Sequence, residues 1–329
     1  MLPVKLAGLG WYLPERRVTN AELEARLDIP ENWIERLTGV CERRYASDET
    51  MVSMGAAASC MALANADIAV HELDAIVSAS TAPQQAIPCT ATFLQRALQA
   101  PEGASACFDI NATCLSFPFA LQMVAHLVAA GVYRNVLICS SELASHSLNP
   151  RERESAALFG DAAAAAVVTR SQPGEASAIW HTQFATYSSG ADLTAIVGGG
   201  LLHHPNDPTT TPEMNLFHMH GPAVYRQASQ VIEPFLERFF CALKWRREEV
   251  DMVIPHQASR HPIEQFSRRL GFTPEQVFLN LPVRGNCVSA SIPLALAEAV
   301  ESERVRRGDR VLLFGTGAGL TLGAVALTY

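Results

Sequence analysis

The chain has 329 residues, 49% of them hydrophobic and only 18% charged, with a formal net charge of -8. That is enough apolar material for one large domain or two closely packed halves, and it excludes a disordered chain. The acidic balance excludes nonspecific nucleic-acid binding, which needs a dense basic stripe, and so few charges suit a surface partly covered by another subunit.

Residues 4–10 read as a first strand, and Asn20 as the cap of a short helix through Leu27. An alanine-rich helix near 52–66 precedes a strand at 74–80. A short strand then leads to Asn111-Ala112-Thr113-Cys114, after which Phe117, Leu121, Val124 and Val128 recur at helical spacing. Gly131 stops that helix before a strand at 136–139. The alanine run after Gly160-Asp161 favours a helix by propensity; it is assigned to a buried strand because small side chains let layers pack closely. A helix at 223–243, a strand at 251–254 and terminal strands at 310–314 and 320–327 repeat the order. The repetition predicts an α/β fold of two related halves meeting near residues 170–175.

Eight cysteines, at positions 41, 60, 89, 107, 114, 139, 241 and 287, form no CxxC pair, so they read as reduced thiols of a cytoplasmic protein. Neither a cleavable leader nor a membrane-spanning run is expected, since Gln122 and His126 interrupt the apolar helix after Cys114.

Three polar sites sit at strand-to-helix junctions: Cys114, Pro255-His256-Gln257 and Gly285-Asn286-Cys287. Alone, Cys114 reads as a small core residue, His256 as a satisfied buried histidine and Asn286 as a turn residue. If the three meet in space, they read as a covalent thioester enzyme, with the Cys114 thiolate stabilised at neutral pH by the following helix N-terminus. Cys107, Cys139 and Cys287 have no comparable neighbours and read as structural. Gly315-Thr316-Gly317-Ala318-Gly319 lacks the continuation of a phosphate-binding loop and falls between two strands, so it reads as a tight turn at the thioester pocket.

These residues, together with Gly10-Trp11-Tyr12-Leu13-Pro14, Trp33-Ile34 and Thr38-Gly39-Val40, make the chain resemble the type III β-ketoacyl-acyl-carrier-protein synthases of the thiolase-like superfamily. The resemblance implies duplicated α/β halves in a layered α-β-α-β-α architecture. They are expected at residues 1–172, carrying the nucleophile, and 173–329, carrying the histidine and asparagine. It further implies a homodimer and a catalytic set of Cys114, His256 and Asn286, with oxyanion donors at the Cys114 and Gly317 backbone. The reaction implied is decarboxylative condensation of an acyl-CoA primer with malonyl-acyl-carrier protein. Coenzyme A thioester and carrier phosphopantetheine enter as substrates; no tightly bound cofactor, metal, nucleic acid or membrane is expected. Head-to-head condensation of two acyl thioesters, acyl transfer without carbon-carbon bond formation, and a noncatalytic partner subunit are the alternatives.

The sequence departs from the family pattern where an arginine usually precedes Thr-Gly, here Leu37, and at a carrier-contact arginine, here His261. Trp33, Arg36, Arg151, Arg246, Arg247 and Arg260 are expected to contact coenzyme A or the carrier, the last three forming a basic entrance. Gln84, Gln85 and Ile87, within a segment expected to approach the partner's pocket, and Arg284 are expected at the acyl end, where Arg151 or Arg284 would suit a short dicarboxylic primer.

Overall fold

The computed structural model describes residues 1–329 and contains two principal sheets. In the first, the strands run in the order Val4–Tyr12, Ala162–Arg170, Asn135–Glu142, Ala75–Ser78, Ala106–Asp109. In the second, Met252–Pro255 pairs with Arg310–Gly317, which pairs with Thr321–Thr328, which pairs with Ala178–Thr186. The two share one plan. Each has a parallel pair beside an antiparallel pair, closed by the first strand of its set. The outermost strand of the first sheet survives in the second as one parallel bridge, Val253 to Val277.

The alanine run is a strand because of where it lies. Ala162–Arg170 is buried at every position but the last, antiparallel to a neighbour on each side. Tertiary packing there overrides alanine's helical preference. The short first helix, Asn20–Leu27, is capped one residue earlier than expected, by the Thr19 side chain accepting the Glu22 N–H.

Between the sheets lie two central helices, Ser116–Ala129 and Ser291–Glu301. Phe117, Leu121, Val124 and Val128 are at most 1% exposed and join one core with Ile292, Leu296, Val136, Ile254, Leu313 and Val325. Each such side chain contributes about 1.5–3 kcal/mol by leaving water, so this stripe binds the layers together. Met51–Ala66 covers the outer face of the first sheet and Gly221–Leu243 that of the second. The resulting stack is the layered α-β-α-β-α architecture of duplicated thiolase-like halves. No helix is long and apolar enough to cross a membrane.

Candidate active site

Cys114 stands between the end of the Ala106–Asp109 strand and the start of the Ser116 helix. The turn beneath it is fastened by Asn111, whose Oδ1 accepts the Thr113 N–H at 2.9 Å and whose Nδ2 donates to the Thr81 carbonyl at 2.7 Å. Thr113 has φ of 52°, a left-handed conformation that a β-branched residue rarely adopts. Such strain costs on the order of 1–3 kcal/mol and persists only where surrounding bonds hold it.

His256 follows the Met252–Pro255 strand, its backbone N–H donating to the Phe314 carbonyl at 2.8 Å. Glycine at 315 and 317 makes room for the site. A Cβ at 315 would lie 2.6 Å from the His256 Cβ, and one at 317 would lie 2.6 Å from the Thr113 Oγ1. Asn286 is held by its backbone, donating to the Leu158 carbonyl at 2.8 Å and accepting the Gly160 N–H at 3.1 Å. Its Oδ1 accepts the Val288 N–H at 2.9 Å. That bond fixes the amide orientation and leaves Nδ2 as a free donor.

Cys114, His256, Asn286 and Gly317 line a single cavity of about 850 Å³. Burial, with no compensating charge, pulls His256 down to about 4, so its ring is neutral near pH 7. Its Nδ1 has no partner. Burial pushes the Cys114 thiol up to about 12, and the nearby Glu142 adds to this. Backbone N–H groups of Cys114 and Ala318 oppose the shift without overcoming it. Enclosure thus opposes the partial charge of the helix end that would favour the thiolate. The second N–H bearing on the sulfur is that of Ala318, one residue beyond the expected Gly317.

The expected substrate contacts are more scattered. No arginine or lysine lines the cavity; its one carboxylate is Glu154. Arg284 lies away from it, paired with Glu298 at 2.7 Å. Gln84, Gln85 and Ile87 do not line this chain's cavity, although Thr81, Ala82 and Pro83 do. Gln84 instead accepts the Val52 N–H, and Gln85 donates to the Ile87 carbonyl. Arg151 is exposed and off the cavity. Trp33 packs against the small core that includes Ile34 and Leu281. Arg36 donates to the Asn32 carbonyl at 3.2 Å.

Arg260 forms an ion pair with Glu264 at 2.7 Å, at the start of the Arg260–Arg269 helix. Arg246 is tied to Glu249, and Arg247 lies over the Phe240 ring and beside Gly271, past the far end of that helix. The three expected arginines therefore do not form one cluster. The two departures from the family pattern converge. Leu37 sits at the exposed rim of the cavity, and the His261 Nε2–H donates to the carbonyl of the adjacent Arg36 at 2.9 Å.

Glu142 was not foreseen. It ends the Asn135–Glu142 strand, is 4% exposed and accepts both the Thr81 N–H at 2.6 Å and the Ser289 hydroxyl. Burial raises it to about 7. Its only sequence signal is an acid closing a strand whose centre, Val136 to Cys139, is apolar.

Profiles of 3-oxoacyl-[acyl-carrier-protein (ACP)] synthase III match residues 108–188 and, for the C-terminal part, 241–329. The chain is 36% identical over 325 residues to the β-ketoacyl-acyl-carrier-protein synthase III of Aquifex aeolicus, covering 99% of each chain. It is 35% identical over 328 residues to β-ketoacyl-acyl-carrier-protein synthase III 3 of Streptomyces coelicolor, covering 98% of this chain and 96% of that one. The crystal structure of the 3-oxoacyl-acyl-carrier-protein synthase III from Aquifex aeolicus is similar with a TM-score of 0.89 at 36% identity, over 99% of this chain and 100% of that one. The chain therefore belongs to the 3-oxoacyl-acyl-carrier-protein synthase III family, condensing acyltransferases of thiolase-like fold.

Proposed function

We propose that this enzyme joins an acyl-CoA primer to malonyl-acyl-carrier protein by decarboxylative condensation through a thioester on Cys114. The observation that carries this reading is the opening of Cys114, His256 and the free Nδ2 of Asn286 onto one cavity. The Cys114 sulfur attacks the primer carbonyl, and the departing thiol takes its proton. The N–H groups of Cys114 and Ala318 receive the oxygen as negative charge builds on it.

In the second step the extender loses carbon dioxide, and the enolate oxygen accepts hydrogen bonds from His256 and the Asn286 Nδ2. A neutral imidazole suits that task because it donates without surrendering its proton to a weak base. The enolate carbon then attacks the Cys114 thioester, and the sulfur leaves as thiolate and is reprotonated. The division at residues 172 and 173 belongs to this reading, one half bringing the nucleophile and the other the two enolate donors. The strands of the two sheets, within residues 4–170 and 178–328, support it.

A homodimer fits the exposed apolar side chains Ile87, Leu201 and Leu202, which are 82%, 94% and 83% exposed in the single chain. Carrier docking near Arg260 and the Leu37 rim is part of the same proposal. With Arg260 paired to Glu264, charge reversal there should weaken carrier-dependent kcat/KM by only a few-fold, about the worth of an exposed charge.

The deciding experiment supplies acyl-CoA and malonyl-carrier protein and measures carbon dioxide and 3-oxoacyl product. One carbon dioxide per product supports condensation. Product without malonyl would favour head-to-head joining of two acyl thioesters, a reading that the cavity's size also suits. Acyl transfer to an amine or alcohol without a new carbon-carbon bond would overturn both.

A further inference from the structure

Glu142 stands just behind the residues that line the cavity. It ends the Asn135–Glu142 strand, whose parallel ladder with Ala75–Ser78 stops at Ser78 and Cys139. Beyond that point side chains continue the pairing. The Ser140 hydroxyl donates to the Ala79 carbonyl at 2.6 Å, the Ser141 N–H donates to the Ser80 hydroxyl at 3.0 Å, and the Thr81 N–H donates to Glu142 Oε1 at 2.6 Å. Thr81 is thereby fixed, and its carbonyl accepts the Asn111 Nδ2 that braces the cysteine turn.

The same Oε1 accepts the hydroxyl of Ser289, three residues after Asn286. The two turns meet through this one oxygen, since no hydrogen bond runs directly between residues 111–116 and 286–291. Glu142 is 4% exposed and Ser289 is fully buried, so water cannot stand in for either bond. Around the carboxyl are only an N–H, hydroxyls and the thiols of Cys114 and Cys287, with no cation paired to it. An acid in such a place is costly to keep, and packing alone would be served by an apolar side chain.

We propose that Glu142 is a positioning residue for condensation, holding the Asn286 turn in register with the Cys114 turn. Thr81, Thr113, Cys114, Asn286 and Val288 line the cavity and Glu142 does not, so it acts through them rather than on substrate. The demand falls on the second step. Loading uses Cys114 with the N–H groups beside it, whereas condensation needs the thioester and the Asn286 Nδ2 at one reacting centre. A displacement of about 1 Å between such groups costs on the order of 100-fold.

The role presupposes the proposed reaction, so one readout is taken without turnover. Acyl loading of Cys114 is timed by intact-protein mass spectrometry, and condensation by product formed when preloaded enzyme meets malonyl-carrier protein. Glu142→Ala should slow condensation about 10- to 100-fold and loading less than about threefold. Glu142→Gln keeps Oε1 as the acceptor of both bonds and should bring condensation to within about threefold of wild type. Ser289→Ala cuts the link from the other side and should match Glu142→Ala, with the double variant no slower than either single one. It also carries the test if Glu142→Ala does not fold. Equal slowing of both steps in folded variants, additive losses in the double variant, or glutamine no better than alanine overturns the role.

Amide hydrogen exchange is measured on the resting enzyme. Glu142→Ala and Ser289→Ala should each raise exchange about tenfold in residues 111–116 and 286–291 while the central strands stay protected, and Glu142→Gln should not. A rise in both turns, in a wild type that loads but never condenses, supports the link and overturns the condensation reading instead. A rise in one turn alone, in neither, or spread over the whole chain overturns the link.

Discussion

The turns at Asn111–Ser116 and Asn286–Ser291 are nearly the same object built twice. In each, an asparagine Oδ1 accepts a backbone N–H two residues on at 2.9 Å. In each, that later residue is β-branched with left-handed φ, 52° at Thr113 and 50° at Val288. Each turn then enters a central helix. They differ in which side chain is left free. Asn111 also uses its Nδ2, on the Thr81 carbonyl, while Cys114 faces the cavity. Asn286 keeps its Nδ2 free, and the residue matching Cys114 is Ser289, 0% exposed and bonded to Glu142. One strained turn thus turns a cysteine to the cavity in one half and leaves an asparagine Nδ2 free in the other. The difference lies in side-chain wiring rather than backbone shape.

The largest expected effect tests the first turn. Cys114→Ser should slow acyl loading by at least about a thousandfold, the scale of losing a nucleophile. Adding Ser289→Cys to that variant should restore nothing, because the second position is enclosed. An acyl adduct on residue 289, seen by peptide mass spectrometry, would break the comparison.

Exchanging the asparagines comes next. Asn286→Ala should lower condensation about 100- to 1,000-fold, as loss of a charge-stabilising donor does, while acyl loading falls far less. Asn111→Ala should act on stability, by about 1–3 kcal/mol in denaturant unfolding, because it strands the Thr113 N–H and Thr81 carbonyl. If it matched Asn286→Ala in condensation at unchanged stability, the two turns would not be divided as described.

The sequence carried the alternation, the helical stripe after Cys114 and the position of each junction, because those depend on local pattern. It misplaced what depends on folded partners. Gly317 was expected as a donor in place of Ala318 because a backbone N–H has no side-chain signature, and glycine's absent Cβ is used here for clearance from Thr113. Arg284 looked available because Glu298 is a partner only in three dimensions. The helix end beside Cys114 can be read from sequence, whereas the enclosure that opposes it cannot.

The buried acid joining the two turns gives a smaller, pH-dependent effect. Glu142 is raised from its ordinary 4.5 to about 7, so between these values the folded chain keeps a proton that the unfolded chain has released. Its contribution is therefore full below about pH 4.5 and is lost as pH rises through about 7. His256, lowered from 6.5 to about 4, acts oppositely: stability falls as pH drops through that window. Glu142→Gln should thus gain relative to wild type between pH 5 and pH 8, by about 2–3 kcal/mol in urea unfolding. A constant difference across that range would remove Glu142 as the titrating group.

The smallest effect is steric. Gly317→Ala should destabilise the chain by about 1–2 kcal/mol as its methyl displaces Thr113. It should slow loading more than it changes the affinity for malonyl-carrier protein. Equal loss in both would mean that the methyl disturbs the whole cavity.

The paired backbone bonds of Asn286 to Leu158 and Gly160 make completion of the site a matter of timing. During synthesis, residues 1–170 emerge with Cys114 but without His256 or Asn286, and contacts so distant in sequence form late. A partly made chain is consequently unarmed for condensation. In the finished protein the same bonds make turnover a gauge of docking, one that should fail on gentle heating before the central helices unravel.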